Sequence, residues 1–193
     1  QFLSLVGTCT NMLPEYVAQF NGNSNSYILA LPAGKTFANG FTITGWFDTS
    51  SVTNAEGQAG YCGSYNGLTY CIDFWMPGST TSTNLRWEVI FGGKGTNFFN
   101  NMPIYPNKWY FMAGTYNMSS STAYLYVNNV SASAVFSVNG VTTVYPLAIG
   151  CYSVGSYPFY GEEANFQIYN VSLSANQIQA LYQEGIGGAP IDL

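Results

Sequence analysis

Short alternating segments are the feature that most constrains how this chain folds. Apolar and polar residues alternate over segments of strand length, as in residues 41–47, where Phe41, Ile43 and Phe47 fall on one face. Comparable segments occupy residues 16–20, 27–29, 68–76, 85–91, 109–116, 124–127, 130–136 and 166–169. Turn residues recur between them roughly every 8–15 residues. The pattern predicts an antiparallel β-sandwich or barrel.

One segment has helical periodicity instead. Its apolar stripe consists of Ile178, Leu181 and Tyr182. Ser174 and Gln177 have the spacing of a capping box, which predicts a helix from residue 175 to about residue 184. Gly185 is expected to end this helix. No internal repeat is visible, so we expect one domain.

Neutral polar groups rather than charges solvate this chain. Only 7% of its 193 residues are charged, and the net charge is −5 with four Lys and Arg in all. This balance argues against a nucleic-acid surface. Histidine is absent, which excludes Ser–His–Asp triads, His-ligated zinc and haem. The low charge also suits an acidic or hot environment, because neutral polar groups stay solvated whatever the carboxylates do.

The four cysteines lack metal-ligand spacing, so disulfides are the favoured interpretation. Cys62 and Cys71 flank Asn-Gly at 66–67, a strong signal for a two-residue hairpin turn. This turn makes the two cysteines a non-hydrogen-bonded pair, whose Cα atoms lie about 4.5 Å apart and suit a disulfide. We therefore predict a Cys62–Cys71 bridge and assign Cys9–Cys151 as the second. Four free buried cysteines are the alternative.

Several features favour an exported chain. Asn117, Asn129 and Asn170 each begin an Asn-x-Ser sequon for N-glycosylation. The chain starts at Gln1 rather than Met, which suggests a processed or trimmed N-terminus. No run of about 18 apolar residues occurs, so no membrane span is expected. Together with the disulfides, these features predict an extracellular or cell-surface location.

Six short motifs resemble, in order and spacing, those of laminin G-like domains. They are FTITGW (41–46), KWYFMAGTY (108–116), YLYVN (124–128), LAIG (147–150), NFQIYN (165–170) after Gly161, and LSANQI (173–178). The resemblance covers roughly residues 15–186. It implies a concanavalin A-like jelly-roll β-sandwich of two antiparallel sheets with one short C-terminal helix. Residues 1–14 are then an N-terminal extension, and residues 187–193 a linker or tail.

The chain also resembles surface proteins of small-genome archaea at residues 13–22 and 185–190. In those proteins the domain often follows a pilin-like hydrophobic N-terminal segment. The resemblance implies the exported head of a membrane-anchored or filament-assembled protein.

The carboxylates form no recognisable catalytic motif. A glycosidase needs two carboxyl groups facing each other across about 5–9.5 Å. The hydrolase relatives carry Glu-x-Asp-x-x-Glu on one strand, and this chain lacks it. Adjacent Glu162 and Glu163 would point to opposite faces of a strand, and nothing in the spacing pairs Asp48 with Asp73. We predict that the chain is not an enzyme.

Calcium is the one cofactor that the resemblance suggests, because many related domains bind it at the sandwich rim. Asp48, just after a strand, is the best single carboxylate, and Glu162, Glu163 and Asn165 complete the predicted set. Calcium takes six to eight oxygen ligands, and a neutral amide at residue 165, where relatives often carry Asp, weakens the site. Solvated loop carboxylates are the alternative.

Loop aromatics predict a surface for a glycan or a protein partner. The predicted contact residues are Tyr61, Tyr65, Asn66, Trp75, Tyr152, Tyr157, Phe159 and Tyr160. Aromatic rings stack on sugar faces, whereas strand aromatics such as Trp46, Trp109 and Phe111 belong to the core. Packing within the loops is the alternative.

The leading interpretation is a non-catalytic recognition or adhesion module that binds glycans or a cell-surface partner. The alternative is a structural subunit of a surface filament or layer, assembled through an N-terminal strand at residues 2–6 that pairs with a neighbour's sheet edge.

Overall fold

The computed structural model describes residues 17–140 and 142–187 as two stacked sheets with one helix. In chain order the elements are β1 (Ala18–Asn21), β2 (Ile28–Leu31), β3 (Gly40–Thr49), β4 (Glu56–Tyr65), β5 (Leu68–Met76), β6 (Thr83–Phe91), β7 (Lys94–Ile104), β8 (Trp109–Asn117), β9 (Thr122–Val127), β10 (Val130–Val135), β11 (Leu147–Ile149), β12 (Cys151–Ser153), β13 (Ser156–Pro158), β14 (Tyr160–Tyr169) and α1 (Ala175–Gly187).

Twelve strands form two six-stranded sheets. Sheet I has the order β1-β14-β3-β8-β9-β10, and sheet II has the order β2-β11-β4-β5-β6-β7. The neighbouring strands are antiparallel, and β12 pairs only with β13 in a small separate hairpin. This arrangement confirms the predicted jelly-roll β-sandwich with one helix.

The core lies between the inner faces of the two sheets. Phe41, Ile43 and Phe47 of β3 all point inward, as the alternation predicts. Their main partners from the other strands are Phe74, Met76, Leu85, Trp87, Val89, Phe91, Tyr116 and Leu125. Trp46 and Phe111 are also buried as predicted, but on the outer face of sheet I, under α1.

The capping box of α1 is formed as predicted. The Gln177 carboxamide oxygen accepts hydrogen bonds from the Ser174 backbone N–H and hydroxyl, both at 2.9 Å. The predicted end at Gly185 is wrong, because the helix continues to Gly187. A Cβ at residue 185 would lie 2.2 Å from Trp46 Nε1, so close packing against the indole requires the glycine.

The β4–β5 hairpin has the predicted register. Asn66 and Gly67 have φ values of 50° and 74°, the left-handed conformation of a two-residue hairpin turn. Cys62 is therefore the direct partner of Cys71, and Cys71 is disulfide-bonded. Cys151 is a free, buried thiol, which goes against the predicted Cys9–Cys151 bridge. Cys9 lies outside the described residues.

Three segments differ from the sequence-based expectation. Residues 152–160 were expected to form a loop, but most of them lie in β12 and β13. The sequence pattern gave no strand at residues 94–104, where β7 lies, since its polar and glycine residues interrupt the alternation. β14 starts at Tyr160 rather than near residue 166. Glu162 and Glu163 therefore lie within a strand rather than in a loop, and the bulge between Ala164 and Gln167 separates them from the apolar run that the pattern detected.

Candidate functional site

The hairpin β12–β13 lies on the outer face of sheet II. Gly57 pairs with Trp75, so a side chain at residue 57 would share the face of the Trp75 indole. A Cβ at residue 57 would lie 2.1 Å from the Tyr152 backbone nitrogen. The glycine therefore lets the β12 backbone rest directly on β4.

This arrangement brings three predicted contact residues together. The rings of Trp75, Tyr152 and Tyr157, hereafter the aromatic cluster, have centroids 5.5–6.3 Å apart at steep mutual angles. Tyr157 is 51% exposed and has a φ of 44°, a conformation that few non-glycine residues adopt. Trp75 and Tyr152 are half-buried beneath it. The cluster thus holds one exposed ring on a rigid aromatic base.

A buried polar network lies beside the aromatic cluster. Arg86 Nη1 forms a 3.0 Å ion pair with Glu88 Oε1, and the Arg86 guanidinium lies 4.1 Å from the centroid of the Trp75 ring. The Tyr152 hydroxyl donates a 3.2 Å hydrogen bond to Glu88 Oε2. Asp73, the cross-strand neighbour of Glu88, is fully buried.

The surroundings of Asp73 favour its protonated form. Burial and the neighbouring Glu88 charge raise the pKa of Asp73 well above 3.8, with Arg86 opposing the shift only in part. Within the described residues, no N–H or O–H group donates to either Asp73 oxygen. The Glu88 carboxyl lies close enough to Asp73 to hydrogen-bond it once one of the two acids holds a proton. Because Arg86 pairs with Glu88, a protonated Asp73 leaves the network without net charge.

Sequence patterns did not reveal this network, apart from its aromatic members. The spacing could have indicated it, because residues two apart on a strand share one face. Asp73 and Trp75 have this spacing on β5, and Arg86 and Glu88 have it on β6. What the sequence lacked was the strand register that pairs them. The structure also separates Asp48 from Asp73, since they lie on sheet I and sheet II respectively.

A second group of predicted site residues lies on the outer face of sheet I. A pocket of about 650 Å³ opens there, hereafter the sheet I pocket. It is lined by Gln19, Phe20, Asn21, Asp48, Ser50, Asn107, Tyr160, Gly161 and Glu162. Asp48 and Glu162 are direct cross-strand partners, and Tyr160 is 49% exposed.

The four predicted calcium ligands do not come together. Asp48 and Glu162 share the sheet I pocket, but Glu163 points into the core at 2% exposure, opposite Phe47. Asn165 is exposed at the β14 bulge. The predicted set therefore does not fit calcium, because alternation along β14 places Glu162 and Glu163 on opposite faces.

Among the described residues, one further group of side chains has its potential metal-ligand atoms close together. The ligand atoms of Cys71, Asp73 and Glu88 lie within 4.8 Å of one another. Cys71 is in a disulfide, and Glu88 pairs with Arg86, so the sulfur and one carboxylate are already engaged. This group does not fit a metal ion.

The remaining predicted contact residues lie elsewhere. Tyr65 and Asn66 are exposed at the β4–β5 tip, where Tyr65 contacts Tyr70. Phe159 is fully buried between Phe20 and Phe47, so its assignment to a contact surface is wrong. Tyr61 lies in β4, but its side chain is outside the described atoms.

The three sequons differ in accessibility. Asn129 and Asn170 are exposed, the first at the β9–β10 turn and the second after β14. Asn117 is half-buried, and its carboxamide oxygen accepts a hydrogen bond from the Ser120 backbone N–H at 3.0 Å. Asn129 and Asn170 are therefore the more accessible acceptors.

No helix among the described residues has the length and apolar character of a membrane span.

Comparison with known proteins identifies relatives by fold. The family model for the concanavalin A-like lectin/glucanases superfamily matches residues 21–179. No curated protein matches the chain.

Three solved structures illustrate the likeness. A putative carbohydrate binding protein from Bacteroides ovatus has a TM-score of 0.64 at 19% identity, over 84% of this chain and 45% of its own. This chain therefore spans less than half of that protein. A heptameric SAP-like pentraxin from Limulus polyphemus has a TM-score of 0.64 at 16% identity, over 86% and 81%. A sialidase CBM40 from Ruminococcus gnavus, bound to α2,3 sialyllactose, has a TM-score of 0.58 at 15% identity, over 91% and 99%.

Proposed function

The chain belongs to the concanavalin A-like lectin/glucanases superfamily, and from this membership we propose that it is an extracellular, non-catalytic module that binds glycans. The Bacteroides ovatus protein is described as carbohydrate binding, and the Ruminococcus gnavus domain was solved with a bound sialyllactose. These relatives support the ligand class. The fold alone does not locate a binding site, so the location depends on this chain's own residues.

The observation that carries the proposal is the exposed Tyr157 ring on its aromatic base. The Trp75 and Tyr152 rings pack edge-on against this ring, with centroid separations of 6.3 and 5.5 Å. Stacking on a sugar face therefore costs little further side-chain entropy. In the adjacent network, Arg86 balances the charge of Glu88, and burial favours the uncharged form of Asp73. A neutral surface with one free aromatic face suits an uncharged sugar.

The same network supports a binding rather than a catalytic role. Asp73 and Glu88 are the two carboxyl groups of the network, with oxygens within 4.8 Å of each other. A retaining glycosidase holds its two carboxyl groups about 5–5.5 Å apart. However, Asp73 is fully buried, and both Glu88 oxygens are engaged by Arg86 and Tyr152. Neither carboxyl group is open to a glycosidic bond.

A variant of the exposed ring tests the proposal. A neutral oligosaccharide selected on a glycan array would be titrated calorimetrically into the wild-type chain and into Tyr157→Ala. We expect the variant to bind about 5- to 100-fold more weakly, because it lacks the stacking face, while its melting temperature stays nearly unchanged.

Tyr124→Ala is the matched control, since Tyr124 is a 39% exposed tyrosine on β9 of the other sheet. It should bind as the wild type does. Equal affinity of Tyr157→Ala and the wild type would reject the aromatic cluster as the contact surface.

A structural role is the second candidate function, and one observation favours it. β2 is an edge strand of sheet II, and its Ile28 and Leu29 are 49% and 59% exposed. An apolar edge strand can pair with a second copy of the chain. Concentration-dependent oligomers in size-exclusion chromatography, lost in Leu29→Lys, would support this role. Residues 2–6, the predicted assembly strand, lie outside the described residues.

A further inference from the structure

The sheet I pocket is built from three adjacent strands. Gln19, Glu162 and Asp48 form one cross-strand row over β1, β14 and β3. Asn21 and Tyr160 form the next row, and Asn107 from the loop before β8 closes the pocket. Side chains in these rows share one face, so their polar ends converge on the same space.

Two carboxylates in this pocket face each other without a cation. Burial and the Glu162 charge raise the pKa of Asp48. In residues 17–140 and 142–187, no Lys or Arg side chain pairs with Asp48 or Glu162. Lys108 contributes only its backbone N–H to Asp48, while its ammonium lies over the Tyr105 ring at 5.4 Å. A positively charged ligand group between the two carboxylates would relieve their repulsion.

The rest of the lining indicates what carries that positive charge. Asn21, Asn107 and Ser50 supply neutral amide and hydroxyl groups, which match the hydroxyls of a sugar. Gln19 is already engaged, since its Nε2 donates a 2.9 Å hydrogen bond to Glu162. A lysine side chain carries no hydroxyl groups to pair with these amide and hydroxyl groups. The exposed Tyr160 ring adds a face on which a sugar ring can stack.

We propose that the sheet I pocket binds an amino sugar, with its protonated amine between Asp48 and Glu162. The ligand class rests on the proposed glycan-binding function, whereas the site is separate from the aromatic cluster. The two sites lie on the outer faces of opposite sheets. One molecule can therefore bridge two glycans, one neutral and one basic, and anionic sugars are excluded from the pocket by charge.

A pair of matched oligosaccharides tests the proposal. A trisaccharide of glucosamine and its fully N-acetylated counterpart differ chiefly in the charged amine. Calorimetric titration of the wild-type chain near neutral pH and without calcium should give at least about tenfold tighter binding of the free-amine form. Glu162→Gln and Asp48→Asn should each abolish this preference, because one carboxylate cannot hold the amine equally well.

Two control variants show whether the preference belongs to the sheet I pocket. Glu184→Gln removes the same charge from α1 and should keep the preference. Tyr124→Ala removes an exposed ring that belongs to neither proposed site, and it should keep the preference too. Thermal melts of each variant check that the chain is folded.

Three outcomes would overturn the proposal. They are no preference in the wild type, an unchanged preference in both Glu162→Gln and Asp48→Asn, and binding that occurs only with added calcium. The last outcome would make the two carboxylates metal ligands instead.

Discussion

Single residues decide which predicted side chains reach the surface. Phe159 and Tyr160 are adjacent aromatics, yet one is fully buried and the other is 49% exposed. Phe159 is the single residue between β13 and β14, so strand alternation does not decide its direction, and the sequence does not reveal where β14 begins. The rings of Trp75, Tyr152 and Tyr157 lie outside the core between the two sheets, as predicted for contact residues.

Gly185 offers a test in which two physical effects have opposite signs. Helix propensity alone predicts that Gly185→Ala stabilises the chain by about 1 kcal/mol. The structure predicts destabilisation by about 1–3 kcal/mol, because a Cβ there would meet Nε1 and Cε2 of the buried Trp46 indole at 2.2 and 2.5 Å. Urea unfolding measures the free energy of unfolding.

Gln179→Ala, at an exposed position of the same helix, is the control and should change stability by less than about 0.5 kcal/mol. A stabilised Gly185→Ala would contradict the packing of α1 on sheet I.

At the scale of elements, local signals predicted hairpins better than they predicted layers. The turn at 66–67 was enough to set the β4–β5 register, and the capping box was enough to start α1. The position of β12–β13 on sheet II was not predictable from local sequence. It depends on the absence of a side chain at Gly57, which lies about 95 residues earlier in the chain than Tyr152. The aromatic cluster exists only through this long-range contact.

At the scale of the whole molecule, buried acids couple stability to pH. Burial raises the pKa of Asp73 and Glu163 well above 3.8 and 4.5, and that of Glu56 to about 7. Above about pH 5 the unfolded chain has lost these protons, whereas Glu56 keeps its proton in the folded chain until the pH nears 7. The raised pKa values of Asp73 and Glu163 act in the same direction. The folded state then binds more protons, so the free energy of unfolding falls as pH rises through this window.

Glu163→Gln tests this coupling. The wild-type free energy of unfolding should fall from pH 5 to pH 7, and the variant should lose up to about 1.4 kcal/mol per pH unit of that slope, because glutamine has no proton to lose. Urea unfolding at several pH values measures the slope, with Glu184→Gln on α1 as the control, since Glu184 lies outside the buried core. Identical slopes for wild type and Glu163→Gln would contradict the buried, protonated acid.

The low charge of the sequence suits an acidic or hot environment, and the buried acids also favour the folded state at lower pH. Glu56, Asp73 and Glu163 are three of the seven carboxylates in the described residues, and burial is the main cause of the raised pKa of each. The sequence could not identify them, because the depth of a carboxylate depends on the layers around it.

Glycan binding at the aromatic cluster is tested most directly by two-dimensional NMR. Backbone amide shifts are recorded while a neutral oligosaccharide selected on a glycan array is added. We expect shifts concentrated at residues 73–75, 86–88 and 152–157. Shifts confined to the β4–β5 tip around Tyr65, or no shifts at saturating oligosaccharide, would contradict the claim.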